Sequence, residues 1–219
     1  VPVTFRPVLV QSGERFVPKN ILGIDPDVQM ERYPLKSKVR FGEFKLEKNN
    51  AMIGNYIAGQ LAVGINSKIL LHSPARLAKM VNVKKNGGFD VKNSKDVYLP
   101  DEFTVTGIYS FGKFDFDSMV IFVNRDDAND LFELPWGSAT SVYVWVPDPF
   151  AMDGIVDKLR QELPGMRVFT WQDINRHLLG VLQMEKNMMF FLLIFIVLVA
   201  AFSITNTLIT VVVQKTREI

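Results

Sequence analysis

Residues Met188–Val213 read MMFFLLIFIVLVAAFSITNTLITVVV, and none of these 26 residues is charged. Wound as a helix, the stretch reaches about 39 Å, more than the roughly 30 Å hydrocarbon core of a bilayer. Charges bound it on both sides, Glu185 and Lys186 before it, Lys215 and Arg217 after it. Core helices of soluble domains rarely run so far without a charge, and a secretory signal would be shorter and N-terminal. The sequence therefore predicts a membrane-spanning helix over 188–213. The Lys215/Arg217 flank adds a slight positive-inside bias, which puts the C-terminus in the cytoplasm and the 1–170 region outside it.

Upstream of the span, no proline occurs from Trp171 onward. Thr170-x-x-Asp173 has the form of a capping box with Asp in place of the usual Glu. A helix continuous from Trp171 to Val213 is expected, with 171–187 as a stalk, 188–213 as the span and 214–219 as the start of a cytoplasmic segment. Thr170, Asp173, Gly180, Glu185 and Lys186 are the candidates for mechanical coupling. Gly180 is the weak point, at about 1 kcal/mol relative to Ala. Val1 is not a start methionine and the chain stops six residues after the span, so a fragment of a larger membrane protein is expected.

The 187 residues before Met188 suffice for one good core or two small ones. Net charge is +2, from 25 basic and 23 acidic residues, too balanced to point to nucleic acid. The absence of cysteine removes disulfides, thiolate metal sites and thiol nucleophiles together. Strands are expected at Thr4–Val10 and Arg15–Gly23, with Pro7 and Pro18 arguing for edge positions. Met52–Leu61 suits a strand running into a helix, and Ile69–Leu71 the next strand. Phe103–Ser110, Ser118–Val123, Thr140–Val146 and Met166–Phe169 read as further strands. Asn124 can cap a short helix through Phe132, and Pro149–Leu163 carries Met152, Ile155, Val156, Leu159 and Leu163 on one helical face. The fold class is α+β: a mixed sheet with helices on one face and a β-rich subdomain, joined by a stalk helix to the span.

Residues 72–100 break this regularity. Asn86-Gly87-Gly88 is a hairpin signal flanked by apolar pairs, and the stretch from 72 to 99 carries six basic residues against two acids. It reads either as a solvated loop or as a projecting docking arm for an acidic partner or anionic headgroups, with Arg76, Lys79, Val81, Lys84, Lys85, Phe89 and Val91 as its contact candidates. Catalytic patterns are weak. Gly107-x4-Gly112-Lys113 lacks the Ser/Thr of a phosphate-binding loop and falls between strands. His72 and His177 have no metal-like neighbours, and Asp115 and Asp117 read as exposed acids of one strand. No catalytic, cofactor or metal residue is assigned.

Met184-Glu185-Lys186-Asn187-Met188-Met189, then Ile196–Phe202 and Val213–Ile219, resemble the second transmembrane helix of lipoprotein-releasing ABC permeases of the LolC/LolE type, within the FtsX/MacB-like superfamily. Gly23-Ile24-Asp25-Pro26, Ile53-Gly54 with Ala58 and Leu61, Val105-x-Gly107-Ile108-Tyr109, Asp117-Ser118, Ala128-x-x-Leu131-Phe132 and Thr170-Trp171 are similar to family segments in the same order. Ser203 stands where Asn is common in the family, and 72–100 is longer and more basic. The resemblance implies a MacB-like periplasmic domain on a bacterial inner-membrane permease subunit. It implies as partners a separate ATPase that binds ATP and magnesium, a second permease subunit in a homo- or heterodimer, a lipoprotein substrate and a periplasmic lipoprotein chaperone recruited by a hairpin at 72–100. This chain itself would be non-catalytic and without a cofactor. A MacB-like efflux or secretion permease and an FtsX-like regulator of a cell-wall hydrolase remain as alternatives, as does a plain membrane-anchored binding domain.

Overall fold

The computed structural model describes residues 1–30, 35–83, 89–91 and 99–216. Two compact units divide the chain, Val1–Trp145 and Val146–Ile219.

The first unit runs β1 Pro2–Ser12, β2 Arg15–Ile24, α1 Pro26–Met30, α2 Leu35–Lys38, β3 Val39–Gly42, β4 Asn50–Gly54, α3 Asn55–Leu61, β5 Lys68–His72, α4 Pro74–Met80, β6 Val81–Val83, β7 Phe89–Val91, β8 Asp101–Tyr109, α5 Phe114–Asp117, β9 Val120–Asn124, α6 Arg125–Leu131 and β10 Ser141–Val142. The mixed sheet closes on itself. β1 pairs antiparallel with β2, β2 parallel with β9, β9 antiparallel with β4, and β4 parallel with β8. β5 then joins the two ends of this path, pairing antiparallel with β8 through Lys68–Leu71 and with β1 through Leu70–His72. β3 and β10 occupy the remaining edges of β8 and β1.

The closed ring gives every strand one shared interior face, and side-chain alternation fills it. All six ring strands send alternate residues into one buried cluster: Val8 and Val10, Ile21, Ala51 and Ile53, Ile69 and Leu71, Phe103 and Val105, Ile121 and Val123. Ile57, Ala58 and Leu61 of α3 and Ala128, Leu131 and Phe132 of α6 complete that cluster, so both helices serve the same face, as expected from the sequence. A second cluster covers the other face of β2, β4 and β9, where Leu22, Ile24, Met52, Val120 and Phe122 meet Leu35, Leu46 and Tyr109. Those three strands are buried on both faces, which explains their near-continuous apolar runs.

Two close approaches fix the helices. A Cβ at Gly54 would overlap the Asp117 carbonyl, and one at Gly23 would come 2.6 Å from Ala128 Cβ. Asn124 caps α6 by accepting from the Asp126 N–H at 3.0 Å. Pro7 lies between the short β10 and β5 contacts of β1, and Pro18 precedes the first β9 contact of β2. Each proline thus sits where one strand edge is unpaired and no ladder donor is lost.

The structure departs from the sequence reading at several places. Phe114–Asp117 forms a short helix, not a strand, and Asp117 is fully buried rather than exposed. Its carboxylate accepts from Ser110 Oγ at 3.0 Å and from the N–H groups of Phe111 at 2.9 Å and Gly112 at 3.0 Å, folding the 110–117 loop around itself. The strand expected over 140–146 shrinks to Ser141–Val142, which pair with Val3 and Pro2 near the start of β1. In the second unit, α7 spans Asp153–Glu162, α8 Trp171–Ile174 and α9 Arg176–Thr216. Residues 166–169 form no ladder; the described residues of this unit are helices and loops, so no strand edge is there to receive them. The helix expected to be continuous from Trp171 is interrupted at Asn175, which closes α8 with φ −100° and ψ 20°. From Arg176 it is continuous for 41 residues.

Candidate docking arm and membrane-coupling helix

The segment leaving β5 and returning at β8 starts from adjacent strands: Leu71 is paired with Asp101. Within it, β6 and β7 form their own antiparallel ribbon, with Val81 opposite Val91 and Val83 opposite Phe89, separate from the main sheet. That is the hairpin the sequence predicts. Residues 84–88, including Lys84, Lys85 and the Asn86-Gly87-Gly88 signal, lie outside the described residues. Lys79 lies on α4, Val81 on β6, and Phe89 and Val91 on β7.

Arg76 points to the barrel rather than into solvent. Its Nη1 donates to Asp101 Oδ2 at 2.7 Å, its Nη2 to the Asp130 carbonyl at 2.6 Å, and its Nε stands 3.7 Å from Glu133 Oε1. Its side chain is 25% exposed. Sequence reasoning counts Arg76 among the basic contacts of the arm; the structure gives it a place at the root.

Buried polar groups elsewhere are structural ties that the sequence reading misses. Lys19 is 6% exposed, and its Nζ donates to Gln60 Oε1 and to the Ser118 carbonyl, both at 2.6 Å. Burial lowers its pKa. The alternation Val17, Lys19, Ile21 along β2 is the signal that turns this lysine inward. Asp127 accepts the Asn49 N–H at 2.7 Å, and burial raises its pKa against the pull of that bond. His72 is buried beside Phe16 and meets Gln11 Oε1 at 2.8 Å, and burial lowers its pKa. Tyr109 donates to the Val120 carbonyl at 2.7 Å, and burial with Asp117 nearby raises its pKa. No group of three or more His, Asp or Glu residues is placed to hold a metal among the described residues.

The residues that the sequence offers for mechanical coupling lie in the second unit. Thr170 Oγ1 accepts the Asp173 N–H at 3.1 Å, while Asp173 Oδ2 accepts the Thr170 N–H at 3.0 Å. The capping box is complete, and its hydrogen bonds from Thr170 hold the Asp173 carboxyl below the usual carboxylate range. Trp171 is anchored beside it, with Nε1 donating to the Pro149 carbonyl at 2.7 Å and its ring edge-on to Phe150. Arg160, Phe169, Asp173, Ile174, Arg176 and His177 border an open cleft of about 450 Å³ here. Gly180, Glu185 and Lys186 fall inside α9, with open space around the Gly180 position.

α9 is long and apolar enough to cross a membrane and has no buried residue. Its threonine hydroxyls turn onto their own backbone: Thr205 to Ala201, Thr207 to Ser203, Thr210 to Asn206 and Thr216 to Val212, at 2.8–2.9 Å. This satisfies those donors where hydrocarbon offers no acceptor. At about 100° per residue, Ala200, Ser203, Asn206, Thr207, Thr210 and Gln214 share one face roughly 120° wide. Continued toward the N-terminus, the same face carries Leu178, Val181, Leu182 and Glu185, the first three exposed. Between these two groups the same face carries Met188, Met189, Leu192, Ile196 and Val199, so its polar residues are confined to the C-terminal part of the helix, from Ser203 onward.

No family model matches the chain. The lipoprotein-releasing system transmembrane protein LolC of Haemophilus influenzae is 27% identical over 225 aligned residues, covering all of this chain and 52% of that protein. The LolC of Buchnera aphidicola is 24% identical over 214 residues, covering 97% of this chain and 49% of its own length. The chain thus spans about half the length of the curated relatives it matches. Among solved structures, the extracellular domain of the noncanonic ABC-type transporter YknZ from Gram-positive bacteria superposes with a TM-score of 0.46 at 11% identity, covering 74% of each chain.

Proposed function

Starting from a chain homologous along nearly its whole length to the lipoprotein-releasing transmembrane protein LolC, we propose that it is the outer domain and one span of an ABC permease subunit. In this reading the subunit lifts acylated proteins out of a bacterial inner membrane and passes them to a periplasmic chaperone. ATP with magnesium is bound and hydrolysed by a separate cytoplasmic subunit, and a second permease subunit completes the pair. The 1–145 unit lies in the periplasm, and the 72–100 arm receives the chaperone.

The observation that carries the proposal, beside the homology, is α9. A single helix begins at Arg176, 12 residues before the uncharged run, and ends at Thr216 after it. At about 1.5 Å per residue that leaves roughly 18 Å of stiff helix above the hydrocarbon. A helix transmits displacement along its axis, whereas a flexible linker would dissipate it. Ser203, Asn206, Thr207 and Thr210 on one face support life in a helical bundle, because polar groups in lipid gain from a protein neighbour.

The test is reconstitution. Proteoliposomes holding the permease with its ATPase and a radiolabelled lipoprotein should release that lipoprotein to added chaperone, only with hydrolysable ATP. ATP turnover that instead follows the concentration of a cell-wall hydrolase or an efflux substrate, with no lipoprotein released, overturns the reading.

A further inference from the structure

We propose that Arg76 is a positioning residue that locks the root of the 72–100 arm, so that the β6–β7 ribbon is held at a fixed angle to the ring before any partner arrives. The proposal rests on reading the segment as a docking arm, and it names the device that pre-orients it.

Three observations meet at this residue. Arg76 lies on α4, the stretch by which the chain leaves the ring, and Asp101 is the first residue of β8, where the chain returns. The 2.7 Å ion pair between them closes the arm at its base. The feet themselves are already paired at Leu71 and Asp101, so what this contact removes is the freedom of α4 to swing on them. The second tie is to a third element. Nη2 donates to the Asp130 carbonyl in the last turn of α6, where the carbonyls have no partner within the helix and the helix dipole favours a cation. α6 is itself fixed, because Ala128 and Leu131 are in the ring interior and Asn129 accepts from Thr4 Oγ1 at 2.6 Å.

The third observation is the backbone of Glu133. Directly after the C-cap of α6, this residue has φ +54°, the left-handed conformation that glycine adopts without strain. A glutamate there gives up backbone ease, and its carboxylate stands 3.7 Å from Arg76 Nε. All three nitrogen atoms of the guanidinium thus face an oxygen, on β8, on α6 and on the turn after α6. Lysine could not reproduce this planar fork. Preorganisation of this kind raises affinity by removing ordering that binding would otherwise have to impose.

The chain has no cysteine, so nitroxide labels can be placed at will. The full chain in detergent micelles, labelled at Asn82 on the ribbon and at Asp126 on α6, is expected to give a single narrow distance in pulsed electron resonance. Arg76→Ala and Arg76→Lys should lose that single distance to a broad distribution. Glu133→Gly separates positioning from general stability: it relieves the strained backbone, so the melting temperature should hold or rise while the distance still broadens. An Arg76→Ala chain that folds and keeps the narrow distance overturns the proposal. So does a Glu133→Gly chain with unchanged width, even if Arg76→Ala fails to fold. Chaperone binding is a separate readout. Variants that loosen the arm as expected, beside a parent with a narrow distance that binds no chaperone, leave the lock standing and refute the docking reading.

Discussion

Gly54 shows how one residue fixes two elements. It ends β4, precedes α3, and leaves no room for a Cβ against the Asp117 carbonyl. The obstructing atom is backbone, so relief requires moving the 110–117 loop and its three hydrogen bonds to a buried carboxylate. Gly54→Ala is expected to destabilise the domain by about 1–3 kcal/mol, the range for overpacking, measured by urea unfolding. Asp127 invites the opposite change. Its raised pKa means that the folded state holds the proton more tightly than the unfolded chain does. Its ionised form therefore costs stability above the folded pKa, and that cost disappears as pH falls below the ordinary carboxylate value. Asp127→Asn keeps an oxygen for the Asn49 N–H. It should melt higher than the parent at neutral pH, with the difference closing near pH 3. A variant less stable than the parent at neutral pH would refute this account. The constraint on neither residue is local in sequence. The close approach at Gly54 involves a partner 63 positions away, and Asp127 is one acid among several in RDDAND.

At the scale of elements, legibility follows locality. The Asn124 cap, the Gly54-to-α3 junction, the β6–β7 ribbon and the Thr170/Asp173 box are written in residues at most a turn or a hairpin apart, and the sequence shows them. The break at Asn175 is different. No proline or glycine marks it; the Asn175 Nδ2 donates to the Trp171 carbonyl at 2.7 Å, closing α8 with its own side chain. Trp171, tied to Pro149 and Phe150, holds α8 in place. Asn175→Ala is expected to raise helicity across 171–180 and join α8 to α9, read as slower amide exchange at residues 175–178. Unchanged exchange would show that the Trp171 anchor alone sets the break. Gly180→Pro acts further along: it removes a backbone hydrogen bond inside α9, at about 3 kcal/mol or more. Assembly with the ATPase should survive while lipoprotein release falls sharply; release at the parent rate would remove the stiff-helix account.

Across the whole molecule, the α+β class and the span were readable, but the closed ring was not. Closure depends on β5 meeting both β1 and β8, pairings 61 and about 32 residues apart that no local pattern encodes. The double burial of β2, β4 and β9 also hides the alternation that would have separated inner from outer faces. The same limit applies to the arm: composition locates it, whereas the root fork joins residues 76, 101, 130 and 133. Membrane orientation is open to direct measurement. Single cysteines at Lys113 and Lys215, probed in intact spheroplasts with an impermeant thiol reagent, should label at Lys113 and stay silent at Lys215. The reverse pattern would place the ring in the cytoplasm and end the permease reading.

The pairing of Leu71 with Asp101 has a consequence for how such proteins diversify. Neighbouring antiparallel residues are only about 5 Å apart, so everything between them is, to the barrel, the loop of a hairpin. Lengthening such a loop is thermodynamically cheap, about 0.6 kcal/mol per doubling. On the proposed docking role, recognition would change by swapping this one cassette while the ring, the interior cluster and the long apolar helix stay as they are. A chimera carrying a relative's cassette between His72 and Asp101 should keep the parent's melting behaviour and acquire the donor's choice of chaperone.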